Sequence, residues 1–540
     1  QKEALVEKLE AIEENISSAA FNKFTYDQSW TYDEDKPYLI TFTVDQTNKK
    51  GQVKQMTYTF NLAFLNPRLI RRTSSNSEMK VELKTGGEDL IYYELDGEPK
   101  GYEDQLKVYT EEVDNARALE PLFEAAVPLA KALWEEDNDI TQDFATLSAW
   151  IADNIQSIDI GDKSITQTLE SDEEAVDRYD LIQTISTSKK QGAVETFRFS
   201  FGDLNDKAIA FKVKGTEVYL VLETNRKLPF MEVFDEEGKN EFVSSLNVYF
   251  ESPGATKLAA EVFKNAIPFY KTKLVERMPT VDSSQKVMPL LAEAMIDFNA
   301  DDEQLTQTLE DQCATTYQIA LEGEKTSSAE AFAFHLEDLD ANNIFVEKGK
   351  NGLEVNVKTR QSLKYIQYRK DGEIKSYTNQ VDFIAPSVES ARLIAHLLPS
   401  AIKSCQREIM GKDMDWLGEA LQKISTVDPE LNQELGAVKD NACKGLFTLT
   451  KSGKKTTTVQ HEFNWHDLAE KNIKILLKGT NVQIDLSTNF NEKIISLYED
   501  ESDLEFANKM TLYMPDIETA KMTLATVKQQ IETCKAANKD

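Results

Sequence analysis

The 540-residue chain writes one unit four times, and this limits its possible folds more than any other feature. An alternating apolar run ending in Leu appears as Phe60-Asn-Leu-Ala-Phe64-Leu65 and as Phe199-Ser-Phe-Gly-Asp203-Leu204. It returns as Phe334-His-Leu-Glu-Asp338-Leu339 and as Phe463-Asn-Trp-His-Asp467-Leu468. Five residues after each Leu stands an Ile (Ile70, Ile209, Ile344, Ile473), and 20 after it a Thr (Thr85, Thr224, Thr359, Thr488), with no gap in any copy. The marker Leu residues are 139, 135 and 129 positions apart. Units of this length bury their own cores, so they read as domains in tandem and not as short solenoid turns that depend on neighbours. The expected bounds are 1–137, 138–279, 280–411 and 412–540.

Each unit opens with helical spacing, as in Leu5, Val6, Leu9, Ile12 and Ile16, and again over Phe144–Ile155, Val287–Phe298 and Trp416–Ile424. Strands follow. In the second unit they read Ser164–Glu170, Asp180–Ser188, Ala193–Phe201, Ala208–Lys214, Glu217–Thr224, Phe230–Phe234 and Glu241–Glu251. Short turns rich in Gly, Asn and Asp separate them, which implies antiparallel neighbours in a meander. The pentapeptide Thr-Gln-Thr-Leu-Glu at 166–170 and 306–310 aligns the early strands of units two and three. The strand before the repeated Thr alternates cleanly (Val81, Leu83; Leu220, Leu222; Val355, Val357; Ile484, Leu486), predicting one face on the core and one in water.

A helix closes each unit. Its stripe is Thr256, Ala260, Phe263, Ile267, Tyr270 in unit two, Ala391, Ala395, Leu398, Ile402, Cys405 in unit three, and Ala520, Leu524, Val527, Ile531, Cys534 in unit four. In unit one Glu120 interrupts the stripe, and Pro128 and Pro268 predict kinks. The expected class is therefore α+β: four tandem homologous domains, each an antiparallel meander of about seven strands between a short opening helix and a packed closing helix. Seven strands closed by a helix resembles the pleckstrin-homology-like topology, a likeness of fold that carries no function. The short joins between units predict a semi-rigid rod or arc.

The net charge of −32 divides among the units as −11, −8, −8 and −5. A surface acidic along its whole length repels phosphate backbones and anionic bilayers, so nucleic acid is not an expected partner. No window is long and apolar enough for a membrane span. The opening at Gln1 fits a chain from which a signal peptide has been removed, and it resembles mature exported proteins of the Bacteroidota phylum.

Catalytic chemistry has no visible signature. Asp203, Asp338 and Asp467 sit where a strand ends, so they read as turn residues. His335, His396, His461 and His466 share no slot between units and read as structural. The acidic clusters 33–35, 301–303 and 499–503 lack the spacing of a calcium loop, and Asn15-Ile-Ser17 is a sequon by pattern alone. No phosphate loop, nucleophile elbow or zinc-protease motif is present, and no metal or cofactor is expected. Tyr219 and Val221 form the one apolar outer stripe on the alternating strand, where the other units carry Lys80, Glu82, Glu354, Asn356, Gln483 and Asp485. They are the candidate protein contact, covered either by a partner or by the same chain.

Four Cys occupy matching places, 92 and 91 residues apart, which selects the pairs Cys313–Cys405 and Cys443–Cys534. Such bridges belong to an oxidising compartment. The expected function is an exported, non-enzymatic scaffold or protein-binding subunit of an envelope, secretion or cell-surface assembly, in the periplasm or on the cell surface. The alternatives are a binder of lipid or of a small apolar ligand, and an enzyme whose site is confined to one diverged unit.

Overall fold

The computed structural model describes residues 1–538 apart from 76–77, 161–162, 239, 282, 301–302, 325–326, 423, 425–429, 439–440 and 501–503. The protein is mixed α+β, and one order of elements is run through four times. In the first run a helix, Lys2–Asn15, precedes nine strands, the last of them Gln105–Thr110, and the helix Val113–Asp137 closes it. The chain divides into two compact units, Gln1–Pro279 and Thr280–Asp540, each holding two repeats.

Within the second repeat the expected seven strands become nine. The run expected over 241–251 is two strands, Asn240–Val243 and Ser245–Phe250, which part at Ser244 and enter different sheets. Ile158–Ile160 is a further strand, too short to show a period in sequence. All pairs are antiparallel, but they form two sheets. In repeats one to three the larger sheet takes the first four strands followed by the seventh and eighth, and the smaller takes the fifth, sixth and ninth. Neighbours in sequence mostly pair, so the meander survives in segments. The chain changes sheet after the fourth, sixth and eighth strands.

The closing helices fill the space beside the sheets. Ala116, Leu119, Phe123 and Ala126 of the first are fully buried against Leu5, Leu9, Trp30 and Phe42. Phe263 and Tyr270 of the second stack on Phe201 from the turn after the fourth strand. The helices run on through Pro128 and Pro268. Glu120, which breaks the first stripe, forms an ion pair with Arg72 of the fifth strand and so ties helix to sheet. The third opening helix is Ser284–Glu293, ending before the predicted limit because Phe298 already belongs to a strand. Of the helix expected over 416–424, residue 423 lies outside the described residues.

The repeated Thr has a local purpose. Its backbone N–H donates to the carbonyl just before the last strand in every repeat: Thr85 to Asp104, Thr224 to Ser244, Thr359 to Asn379 and Thr488 to Asn508, at 2.9–3.0 Å. Its hydroxyl donates to a carbonyl three or four residues on, at Glu88, Leu228, Leu363 and Glu492. In repeats two to four the turn between holds two consecutive left-handed residues, Arg226–Lys227, Gln361–Ser362 and Phe490–Asn491; repeat one uses Gly86–Gly87. Non-glycine residues resist that region, and the threonine bonds close the turn around them.

One glutamine side chain, half-buried in repeat one and buried in the others, fastens the two sheets in each repeat. Gln28 donates from Nε2 to the Tyr109 carbonyl and accepts the Tyr109 N–H at Oε1, both at 2.8 Å. Gln167 makes the same pair with Tyr249 (2.8 and 3.0 Å), and Gln433 with Tyr513 (2.9 and 2.8 Å). In repeat three Gln307 donates to Ile384 O, while the Ile384 N–H reaches Gln307 through the Tyr317 hydroxyl. The remaining Nε2 hydrogen goes to a carbonyl at or just beyond the end of the opening helix: Ser17, Gln156, Ile296 and Leu421. Each glutamine thus joins the large sheet, the small sheet and the opening helix. The aligned pentapeptide 166–170 contains one of these residues, but sequence alone does not tell it from a surface glutamine.

The cysteines are paired as Cys313–Cys405 and Cys443–Cys534, each with Cα atoms 5.4 Å apart. Each bridge fastens the turn and start of one strand, Ala314–Gly323 or Asn441–Ser452, to the far end of the closing helix. Repeats one and two fasten that turn otherwise. Tyr38 stands beside the Asp137 carboxylate at the end of the first closing helix, and burial together with that carboxylate raises the pKa of its hydroxyl. Asp177, 1% exposed at its side chain, pairs with Arg277 of the second at 3.1 Å.

Two outcomes follow. Gln433→Met keeps the volume but leaves the Tyr513 amide and the Tyr513 and Leu421 carbonyls unpaired. We expect urea unfolding to show a loss on the order of 3 kcal/mol. Mild reduction should destabilise Thr280–Asp540 by up to about 4–5 kcal/mol per bridge and so lower its unfolding temperature. The transition of Gln1–Pro279, which has no Cys, should not move in the same calorimetric scan.

Candidate functional site

Tyr219 and Val221 are half-buried. Tyr219 faces Tyr249 of the neighbouring strand at 5.2 Å between ring centroids. The face they share is covered elsewhere too. Lys80, Asn356 and Gln483 hold the corresponding positions and are 8%, 0% and 4% exposed. The solvated outer face read from the alternation is thus corrected: this central strand of the small sheet is largely enclosed on both sides. Asn356 meets the cost by accepting from Gln380 at 2.6 Å.

The four histidines lie apart. His396 is exposed on the third closing helix. His466 Nε2 lies 3.3 Å from the Asp467 carboxylate in a turn. His461 packs on Phe447 with its Nδ1 unpartnered, and burial pushes its pKa down to about 4. His335 is 6% exposed and burial lowers its pKa too. Of the acidic clusters named from sequence, 301–302 and 501–503 lie outside the described residues. Asp338 does more than end a strand. It takes Lys521 from the next repeat at 2.6 and 2.5 Å, and burial holds its carboxyl up at about 6 despite that cation.

That contact marks how repeats pair inside each compact unit. Lys521 lies five residues after the helix N-cap Asp516, and Lys257 lies five after the corresponding N-cap Ser252. Each reaches the same turn of the preceding repeat. Lys257 sits 5.6 Å over the Phe64 ring and bonds Glu88 at 2.7 Å; Lys521 binds Asp338, whose slot is that of Phe64. Repeats one and two also meet through bare backbone: a Cβ on Gly101, at φ +115, would lie 2.7 Å from the Gly215 carbonyl oxygen.

A cleft opens at each of these junctions in matching positions. In Gln1–Pro279 it encloses about 290 Å³, and in Thr280–Asp540 about 340 Å³. The floor of the first is the cross-strand row Thr59–Tyr92–Tyr102, and that of the second is Ala333–Gln367–Tyr377 in the same register. The wall of each is a helix N-terminus, Ser252-Pro253-Gly254 or Asp516-Ile517-Glu518. The linings have diverged. The first is apolar and aromatic around Leu39, Phe60, Phe64 and Leu90, with Asp159 and Glu251 exposed at its rim. The second turns polar: Asn61 is replaced by His335 and Gly254 by Glu518. None of this is readable from the chain, because the floor and the wall of each cleft lie well over 100 positions apart.

His461 has a pH consequence. Its folded pKa is depressed, so the stability it supports is present above about 6.5 and is lost as the pH falls toward 4, where the unfolded chain takes up a proton first. His461→Gln should flatten the acid limb of repeat-four unfolding over that window by up to about 3 kcal/mol, read from denaturant midpoints at successive pH values.

Among the described residues no helix is long and apolar enough to cross a membrane. Two disulfides are consistent with an oxidising, extracellular setting. Comparison with protein-family models, with curated proteins and with solved structures finds no match to this chain.

Proposed function

We propose that this chain is an exported, non-enzymatic binding protein, a scaffold subunit of an envelope, secretion or cell-surface assembly. In this reading its four tandem domains bind a protein partner through the clefts at the paired junctions. The observation that carries the reading is the recurrence of one cleft, in one register, with two different linings. Elements that hold the fold, such as the glutamine clamp and the threonine turn, are kept from repeat to repeat, whereas the cleft walls are not. Structural slots that stay constant around a changing concave surface are what divergence of binding specificity on a common frame leaves behind. The disulfides support export to the periplasm or the cell surface.

A second reading has its own support. The first cleft is lined mainly by aliphatic and aromatic side chains and is of a size for a small apolar ligand or a single apolar side chain of a partner.

A photo-crosslinking residue placed at Thr59 or at Ala333 in the native host should yield a discrete protein adduct. The same residue at Lys131, on the exposed face of the first closing helix, should not. No adduct from either cleft position, or equal capture from Lys131, would remove the partner reading.

A further inference from the structure

The second cleft holds a cluster that the local fold does not ask for. The turn after the fourth strand is a 3-10 helix, and in repeats one and two its N-cap residue serves it, while in repeat four Asn464 makes no cap bond and donates to Asp467 instead. Asn61 accepts the Ala63 N–H at 2.9 Å, and Ser200 accepts that of Gly202 at 3.0 Å. In repeat three this slot is His335, which makes no cap bond, is 6% exposed, and keeps Nδ1 without a hydrogen-bond partner. Two residues on, where repeats one and two have Ala63 and Gly202, stands Glu337, 8% exposed. Across the junction, where repeat two has Gly254, the fourth closing helix presents Glu518. Each of these three replacements puts a polar or charged group where a smaller or turn-serving residue suffices; Glu337 and Glu518 meet cations, Glu518 being part exposed, whereas the His335 Nδ1 is buried with no hydrogen-bond partner, which is costly. All three converge. One ligand atom from each of His335, Glu337 and Glu518 lies within 4.8 Å of the others, with His335 Nδ1 at 3.7 Å from Glu337 Oε1.

We propose that His335, Glu337 and Glu518 form a binding site for a divalent transition cation of the zinc type, which pins repeat three to repeat four. One imidazole nitrogen and two carboxylates are a donor set that zinc accepts, with its remaining position open to water from the adjoining cleft. Arg407 is the group to be displaced. It lies beyond the end of the third closing helix with its side chain half exposed, and its guanidinium contacts Glu337 at 3.1 and 3.2 Å and also Glu518. The charges favour the exchange. Glu337, Asp338 and Glu518 face two cations, Arg407 and Lys521, which leaves one negative charge uncompensated. A divalent ion in place of the guanidinium balances the cluster while Lys521 stays on Asp338. The site lies in the cleft assigned above to a partner, but zinc binding stands without that assignment, because it is read directly and not through capture of a partner.

The test is calorimetric titration of the disulfide-intact full chain with zinc chloride in a non-chelating buffer, with thermal unfolding at each zinc concentration. We expect saturable one-site binding and a rise in the unfolding temperature of Thr280–Asp540. His335→Asn restores the residue that repeat one uses at this slot, so the variant should fold and bind at least tenfold more weakly. Glu518→Gln should do the same from the other side of the junction. Arg407→Gln should tighten zinc binding severalfold by removing the competing guanidinium. A chain with no saturable zinc binding, binding unchanged in both His335→Asn and Glu518→Gln, or binding that Arg407→Gln leaves the same or weakens would each overturn the proposal.

Discussion

A primary amide carries the donor and acceptor of a peptide unit on a movable arm, and each repeat uses one to tie its two sheets together. The large and small sheets share no continuous ladder. Without Gln28, Gln167 and Gln433, the fifth residue of the last strand would keep an inward amide and carbonyl with nothing to meet them, and without Gln307 the Ile384 carbonyl would be left so. Groups of that kind are strongly unfavourable when buried unpaired. Repeat three inserts the Tyr317 hydroxyl between Gln307 and Ile384, so what is kept is the donor and acceptor pattern, not one contact. By also holding a carbonyl near the end of the opening helix, the same amide sets where three elements meet. The turn after the fourth strand and the N-terminus of the closing helix take their places from that frame, and those two features become the walls of the junction cleft.

Around the clamp, the repeats solve one mechanical problem in different ways. The turn before the strand that follows the clamp strand must be held to the far end of the closing helix. A tyrosine beside a carboxylate, an ion pair of the buried Asp177 with Arg277 and two disulfides all do so. A buried ion pair costs desolvation and depends on good geometry, whereas a disulfide acts mainly by restricting the unfolded chain. Interchangeable chemistry at one place marks a structural requirement. The cleft shows the opposite pattern. Its position is kept while its chemistry changes from aromatic to charged, and His335 there gives up the capping bond that its counterparts Asn61 and Ser200 make.

The repeat, its four copies, the α+β class, the opening and closing helices and the pairing of the cysteines were legible in the sequence, since each rests on short-range periodicity or on a spacing counted within one copy. Strand count was less so: Ile158–Ile160 is too short to carry a period, and the break at Ser244 lies inside one apolar run. Whether the face bearing Tyr219 and Val221 is covered, which glutamine is the clamp, and how repeats pair all depended on contacts across the fold. His335 and Glu518 are 183 residues apart and lie in different repeats, so no motif joins them. Local pattern determines which elements form, because backbone hydrogen bonding and burial act over neighbouring residues. Only the packing of one repeat on the next decides which side chains share a cavity, because that placement depends on where two independently folded surfaces meet.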